Sequence, residues 1–137
     1  MNFHGQFIER FITWSRAQPS IIGVAVVGSC ARGIARPDSD IDFVVLCKSP
    51  EIFLENQAWI HDLGTVVKAS REDYGALVSL RVFYAEGQEA EFGLTSRTWA
   101  SLPVDSGTKE VVENGFRILY DPEDLFCVLE SDVIAST

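Results

Sequence analysis

The chain has 137 residues, of which 47 % are hydrophobic and 23 % are charged. This length predicts one domain over residues 1–137, with a core large enough to fold without disulfides or a structural metal. The composition excludes a disordered chain. The net charge of −9 argues against a stand-alone nucleic-acid binder, because phosphates need cations. It is compatible with a cationic small molecule, a protein partner, or an anion brought in with metal ions.

Membrane and redox features are absent from the sequence. No apolar run approaches the ~18–20 residues of a membrane span, and the N-terminal 20 residues lack the apolar block of a signal peptide. The three cysteines, Cys30, Cys47 and Cys127, include no CxxC pair, which argues against a disulfide framework or a thiolate zinc site. We therefore expect a cytoplasmic protein with no membrane contact.

The first elements alternate between helix and strand. Apolar residues at helical spacing predict an amphipathic helix over residues 3–16, which Pro19 stops. The β-branched run 21–27 predicts a strand that is covered on both faces, and Gly28 breaks it. A second strand is expected over residues 41–47.

The middle of the chain predicts a longer helix. Ser49, Pro50 and Glu51 form a typical helix start, with a cap, an N1 proline and an early acid. The helix is expected to run to about Leu63, with Gly64 as its C-terminal stop.

The second half predicts a hairpin followed by short elements. A two-residue loop at Gly87-Gln88 is typical of a tight hairpin and would pair Tyr84 with Glu91. The helix that starts near Asp121-Pro122 follows the same cap-and-proline rule. The other expected elements are strands at 65–69, 78–86, 89–94 and 116–120 and helices at 95–102 and 108–114. This mixture predicts an α+β (mixed α/β) fold, a mixed sheet packed against helices.

The chemically informative segment is Gly28–Asp42, GSCARGIARPDSDID. Gly28 allows a sharp backbone turn and the close approach of a bulky anion. Ser29 supplies a hydroxyl and opens a short helix, whose free N–H groups attract phosphate.

Asp40 and Asp42 begin the strand that follows. Because side chains alternate along a strand, the two carboxylates point to one face, about 7 Å apart along the backbone. They can hold one or two divalent ions, since paired catalytic metals lie ~3.5–4 Å apart. Oxygen ligands beside phosphates favour Mg²⁺ or Mn²⁺.

Each part of this pattern also has an ordinary structural reading. A DxD sequence alone is commonly a polar loop entering a strand, and a Gly-Ser pair alone is commonly a turn. Their combination is sharper, because Asp40 and Asp42 share a face with Val44 and Leu46, which we expect to be apolar. Carboxylates on such a face need partners.

The pattern of Gly28-Ser29, ten further residues and then Asp40-x-Asp42 resembles the signature of the DNA polymerase beta-like nucleotidyltransferase superfamily. GSCARG followed by SDID is most similar to its small bacterial members, the minimal and antibiotic nucleotidyltransferases. The resemblance is specific over about residues 22–47. It implies the nucleotidyltransferase fold, ATP or another NTP as substrate, and Mg²⁺ or Mn²⁺ as cofactor.

The resemblance also implies roles for individual residues. A third carboxylate arrives from a later strand of the same sheet, and Glu91 is the best match; it would complete the metal site and double as general base. The alternative for Glu91 is a salt-bridged strand residue, with Arg81 as partner. Nucleotide contacts would come from four residues, which are Gly28, Ser29, Arg32 and Ser39.

Other residues near the motif have competing readings. Arg32 and Arg36 would contact a triphosphate, or else stay in solvent or pair with Asp38. Cys30 is expected to pack rather than react, because no histidine is near it in sequence. The three tryptophans are expected in the core or in an interface.

Two functions are open at this stage, together with a degenerate, non-catalytic domain that the retained motif residues argue against. The first is transfer of a nucleoside monophosphate to a hydroxyl of a small-molecule or protein acceptor, with the acidic surface favouring a polyamine-like acceptor. The second, which the resemblance to the minimal nucleotidyltransferases implies, is an antitoxin-like protein that binds and neutralises a helical HEPN-type toxin, with adenylylation of that toxin left open. The chain is too short to add a helical acceptor domain, so a partner protein or a homodimer would complete the site.

Overall fold

The structure, a computed structural model, describes residues 3–33 and 39–136. These residues form a mixed six-stranded sheet, and helices cover both of its faces. The strands are β1 (Ile21–Val27), β2 (Ile41–Cys47), β3 (Val66–Asp73), β4 (Leu77–Tyr84), β5 (Glu89–Thr95) and β6 (Phe116–Tyr120). The helices are α1 (Phe3–Arg16), α2 (Ser29–Arg32), α3 (Glu51–Glu55), α4 (Ser106–Glu113) and α5 (Leu125–Ala135), with 3₁₀ turns at Ala58–Leu63 and Arg97–Ala100.

The sheet has the order β3-β4-β5-β2-β1-β6. β2 and β5 run parallel, and the other neighbouring strands are antiparallel. β2 therefore lies in the interior of the sheet, beside both β1 and β5. The mixed sheet with helices on both sides confirms the predicted fold class.

An aromatic core lies between α1 and one face of the sheet. The Phe11 ring is fully buried and lies 4.6 Å from Phe43 and 4.9 Å from Phe92, centroid to centroid. Trp14 stacks on Trp59 at 5.0 Å at the edge of this core. The helix predicted over residues 3–16 is confirmed, because its apolar face covers the central strands.

The opposite face of the sheet is covered by α4, α5 and the 3₁₀ turn at Arg97–Ala100. Val44 and Leu46 of β2 pack there against Phe126 and Leu129 of α5. This is the face that Asp42 shares by alternation along β2. The expected apolar neighbours of Asp42 are therefore present.

The long helix predicted from Pro50 to Leu63 is wrong. α3 ends at Glu55, and Asn56 adopts an extended conformation with φ −118° and ψ 101°. The Asn56 side chain accepts a hydrogen bond from the Ala58 N–H at 3.1 Å, a local bond that competes with the helix. The indole of Trp59 donates to the carbonyl of Phe53 at 2.9 Å, which fixes the break.

The predicted hairpin register is also wrong. The loop contains four residues, 85–88, and Phe83 pairs with Glu89. Tyr84 N–H donates to the carbonyl of Gln88 at 2.8 Å, and Gln88 is buried. Glu91 consequently pairs with Arg81 instead of Tyr84. Because this shift is an odd number of residues, Glu91 lies on the face opposite to that of Tyr84.

The last helix starts later than predicted. It begins at Leu125, and the Asp121 carboxylate accepts hydrogen bonds from the N–H groups of Phe126 at 3.1 Å and Cys127 at 2.8 Å. Asp121 is therefore a cap, as expected, but the proline lies before the helix. Within residues 3–33 and 39–136, no helix is both long enough and apolar enough to cross a bilayer.

The Asp121 cap gives a first testable prediction. We expect Asp121→Ala to lower the free energy of unfolding by about 1 kcal/mol, because two N–H groups at the start of α5 lose their acceptor. Urea denaturation measures this change. Asp121→Asn retains an acceptor oxygen and should lose less; equal losses in the two variants would mean that the side chain does not cap α5.

Candidate active site

Gly28 joins β1 to α2 and lies against Asp42. Its φ of 73° and ψ of −147° belong to a region that side chains disfavour. A Cβ at this position would lie 3.2 Å from Oδ2 of Asp42. Glycine is therefore required here for the turn, as predicted, and also for room beside the carboxylate.

The tertiary structure brings the three predicted carboxylates together. Asp42 pairs directly with Glu91 across the parallel strands β2 and β5. One carboxylate oxygen from each of Asp40, Asp42 and Glu91 lies within 4.8 Å of the others. This group is called the acidic cluster below.

Asp42 is the most perturbed member of the acidic cluster. Burial, followed by the negative charges of Asp40 and Glu91, raises its pKa from 3.8 to about 8. Its Oδ1 atom is buried and has no hydrogen-bond partner among the described residues. An orphaned buried oxygen beside two further carboxylates fits a divalent cation, and an all-oxygen donor set suits Mg²⁺ or Mn²⁺.

Glu91 has polar partners of its own. Its Oε1 accepts a hydrogen bond from the Ser79 hydroxyl at 2.7 Å, and its Oε2 accepts one from Arg81 Nη2 at 3.1 Å. Arg81 also donates from Nη1 to Glu89 at 3.1 Å, and the Glu91 charge is the largest influence that raises the pKa of Arg81. Glu91 thus lies in the acidic cluster and forms the ion pair that was its alternative reading.

Arg32 and Ser39, two of the residues predicted to contact the nucleotide, each have a contact with the backbone or a side chain of another element. The guanidinium of Arg32 is exposed and donates to the backbone carbonyl of Asn114. The Ser39 carbonyl lies 2.9 Å from Nε2 of His4, so α1 holds the segment that leads into Asp40. Arg36 and Asp38 lie outside the described residues.

Cys30 is a packing residue in this structure. Its thiol donates to the carbonyl of Asp40 at 3.5 Å. Burial, with the charges of Asp42 and Asp40, raises the pKa of the Cys30 thiol to about 11. The thiol stays protonated near neutral pH, which agrees with the expectation that Cys30 does not act as a nucleophile.

Sequence reasoning missed Ser79 as a partner of Glu91. Ser79 is almost completely buried, and its hydroxyl is aimed at Glu91 from the neighbouring strand. The alternation of Leu77, Ser79 and Arg81 on one face of β4 was the available signal. The wrong hairpin register placed Val82 and Tyr84 beside Glu91 and concealed it.

The turn at Gly28 thus lies against Asp42, which pairs with Glu91 in a mixed sheet, as the resemblance to nucleotidyltransferases implies. A family model described as "Nucleotidyltransferase domain" matches residues 8–88, more than half of the chain. The chain therefore belongs to the nucleotidyltransferase domain family. The match includes Gly28, Ser29, Asp40 and Asp42 and ends before Glu91, so the position of Glu91 rests on the structure.

A solved structure shares the fold. An aminoglycoside 6-adenyltransferase from Bacillus subtilis matches with a TM-score of 0.61 and 14 % sequence identity. The alignment covers 85 % of this chain and 40 % of the adenyltransferase, so this chain spans less than half of that protein. A toxin–antitoxin structure with AMP-PNP matches with a TM-score of 0.47 and 13 % identity, covering 94 % of this chain and 85 % of the other. No curated protein sequence matches the chain.

Proposed function

We propose that this nucleotidyltransferase domain moves a nucleoside monophosphate, AMP from ATP, onto a hydroxyl of a small-molecule or protein acceptor. The observation that carries the proposal is the acidic cluster with the orphaned Oδ1 of Asp42. Three carboxylates that converge on a partly buried point repel one another when all are ionised, and a bound divalent cation would offset that repulsion. Asp40, Asp42 and Glu91 would hold Mg²⁺ or Mn²⁺ there, and the cation would neutralise developing charge and favour ionisation of the acceptor hydroxyl.

The residues of the chain have distinct tasks in this proposal. The Gly28 N–H donates to the Gly115 carbonyl at 3.3 Å, so the Ser29 hydroxyl and the backbone N–H groups that follow Gly28 would face the phosphates, and Arg32 and Ser39 would add further contacts. Ser79 and Arg81 orient Glu91, whose carboxylate takes the proton of the acceptor hydroxyl. The acceptor oxygen bonds to the α-phosphorus of ATP, the bond from that phosphorus to the bridging oxygen of the β-phosphate breaks, and pyrophosphate leaves.

The organisation of the protein is part of the same proposal. We take residues 1–137 as a single nucleotidyltransferase domain that works in the cytoplasm, with which its three free cysteines are consistent. A helical protein partner or a second copy would contribute to the acceptor side of the site.

A second candidate function is binding of a helical partner, as in an antitoxin. α5 is apolar on most of its surface and leaves Val128 and Ile134 more than half exposed, a surface that a partner helix can cover. Co-expression with a small helical protein encoded by a neighbouring gene tests this candidate. A complex that Ile134→Glu dissociates, while the matched change Val67→Glu at an exposed apolar site on β3 does not, is the expected result; an unaffected complex would exclude α5.

Calorimetric titration of ATP tests the proposed reaction. We expect Mg²⁺ or Mn²⁺ to strengthen ATP binding by about tenfold or more, ~1.4 kcal/mol, because the cation bridges the acidic cluster and the triphosphate. The double variant Asp40→Asn/Asp42→Asn should lose this metal-dependent gain. The exposed Asp62→Asn serves as a control for charge alone. The same metal-dependent gain in the double variant would refute the assignment of Asp40 and Asp42.

A further inference from the structure

A pocket of 170 Å³ lies beside the acidic cluster, on the α4–α5 face of the sheet. Asp42 and Glu91 line one end of it. The remainder is lined mainly by apolar side chains, among them Leu77 of β4, Trp99 of the 3₁₀ turn and Val111 of α4. The pocket therefore adjoins the carboxylates that the proposed function places at the reacting atoms.

The lining excludes a charged occupant of either sign, except a cation at the acidic end. Among the described residues that line the pocket, none is a lysine, an arginine or a histidine. The Ser79 hydroxyl, which also lines it, is already bonded to Glu91. Phosphate groups could approach the end lined by Asp42 and Glu91 only with the cation that the proposed function places there, and the rest of the lining offers no charged group to bind them. A neutral, apolar group matches the Leu77, Trp99 and Val111 surfaces.

The volume limits the size of that group. A cavity of about 150 Å³ lined by aliphatic and aromatic side chains accommodates one benzene ring. The present pocket is only slightly larger, so a single ring or a branched aliphatic group fills it, whereas the fused rings of a purine would extend out of it. A single-ring or branched aliphatic part of the acceptor therefore fits the pocket better than adenine does.

We propose that this pocket binds a neutral single-ring or branched aliphatic part of the acceptor, whose hydroxyl then lies beside Glu91. The inference rests on the proposed function for the identity of the occupant, but binding of a neutral ring can be tested without any transfer. We therefore propose this neutral group in place of the polyamine-like acceptor that the net charge suggested, because the residues that line the pocket determine which group fits next to Glu91.

Fluorine NMR of the protein labelled with 5-fluorotryptophan tests the pocket directly. The chain has three tryptophans; Trp14 and Trp59 belong to the aromatic core on the other face of the sheet, and Trp99 lines the pocket. Trp99→Phe identifies the Trp99 resonance. Titration with benzyl alcohol should shift that resonance, while the other two stay in place. Adenosine at the same concentrations should not shift it.

Two variants that fill the pocket make the test specific. Val111→Phe and Leu77→Phe each add a ring to the lining and should weaken benzyl alcohol binding at least tenfold. Val67→Phe makes the first of these changes at an exposed site on β3, outside the pocket lining, and should leave binding unchanged.

The outcomes separate this inference from the proposed function. An unmoved Trp99 resonance in the wild-type protein, or undiminished binding in both filled variants, would overturn the pocket assignment. If adenosine shifted the Trp99 resonance and Val111→Phe abolished that shift, the pocket would belong to the nucleotide. This result would also overturn the assignment of the pocket to the acceptor. Metal-dependent ATP binding, measured on the same samples, reports separately on the proposed function and should be retained in the filled variants.

Discussion

Glu91→Gln is expected to lower the rate of nucleotidyl transfer by between ~10² and 10⁴, a larger loss than the one it causes in metal-dependent ATP affinity. Glutamine keeps the size of the side chain and an oxygen that can accept from Ser79. It cannot take the proton of the acceptor hydroxyl or carry the charge that a cation needs. The measurement is metal-dependent release of pyrophosphate from ATP, beside calorimetric ATP titration.

Glu89→Gln is the matched control for this prediction. Glu89 lies two residues away on β5 and is also bound by Arg81, at 3.1 Å, but it is not a member of the acidic cluster. If the ion pair with Arg81 were the only role of Glu91, the two variants would lower the rate to a similar degree. A large loss restricted to Glu91→Gln separates the chemical role from the ion pair.

Asp42→Asn is expected to stabilise the metal-free protein at neutral and alkaline pH. The pKa of Asp42 is about 8 in the folded state, well above its ordinary value of 3.8. Below pH ~4 the Asp42 carboxyl is protonated in both the folded and the unfolded state, so it does not lower the free energy of unfolding there. Between pH ~4 and ~8 the folded state holds the extra proton, so stability is lost as the pH rises. Asparagine does not titrate, so the Asp42→Asn protein loses no stability from this position as the pH rises.

The expected gain for Asp42→Asn is about 2 kcal/mol at pH 8. A pKa moved from 3.8 to about 8 corresponds to ~6 kcal/mol without screening. Partial exposure and sharing of the proton within the acidic cluster reduce that figure. Thermal unfolding between pH 4 and 8 measures the difference, which should vanish near pH 4.

Added Mg²⁺ provides the second arm of the stability experiment. It should stabilise the wild-type protein and leave Asp42→Asn almost unchanged, because a ligand stabilises only the state that binds it. The exposed Asp62→Asn removes the same charge elsewhere and should show neither effect. If Asp42→Asn raised the free energy of unfolding equally at every pH, the destabilisation at Asp42 would not come from its charge.

Local sequence patterns were sufficient for most of the secondary structure. The boundaries of α1, β1 and β2 agree with the predicted ranges. Hydrophobic periodicity and β-branched content can be read from residues close together in the sequence, so these elements could be predicted without knowledge of the tertiary structure. The errors occur where a specific hydrogen bond or a buried side chain overrides a general rule of propensity. Asn56 and Trp59 interrupt the expected long helix through specific hydrogen bonds, and the buried Gln88 lengthens the hairpin loop.

The sequence by itself determined the family motif, since Gly28, Ser29, Asp40 and Asp42 are close enough along the chain for spacing to specify their relation. The sequence also indicated Glu91 as the third carboxylate, although the predicted hairpin register, which paired Glu91 with Tyr84, was wrong. Only the tertiary structure decided which strand lies beside β2, and therefore that Glu91 pairs with Asp42 while Ser79 and Arg81 hold it. The pocket next to Glu91 likewise depends on tertiary structure, because β4, β5 and α4 form its walls from residues far apart in sequence. The physical reason is that hydrogen-bond register between strands, and the packing of helices over them, are set by long-range contacts that no local pattern encodes.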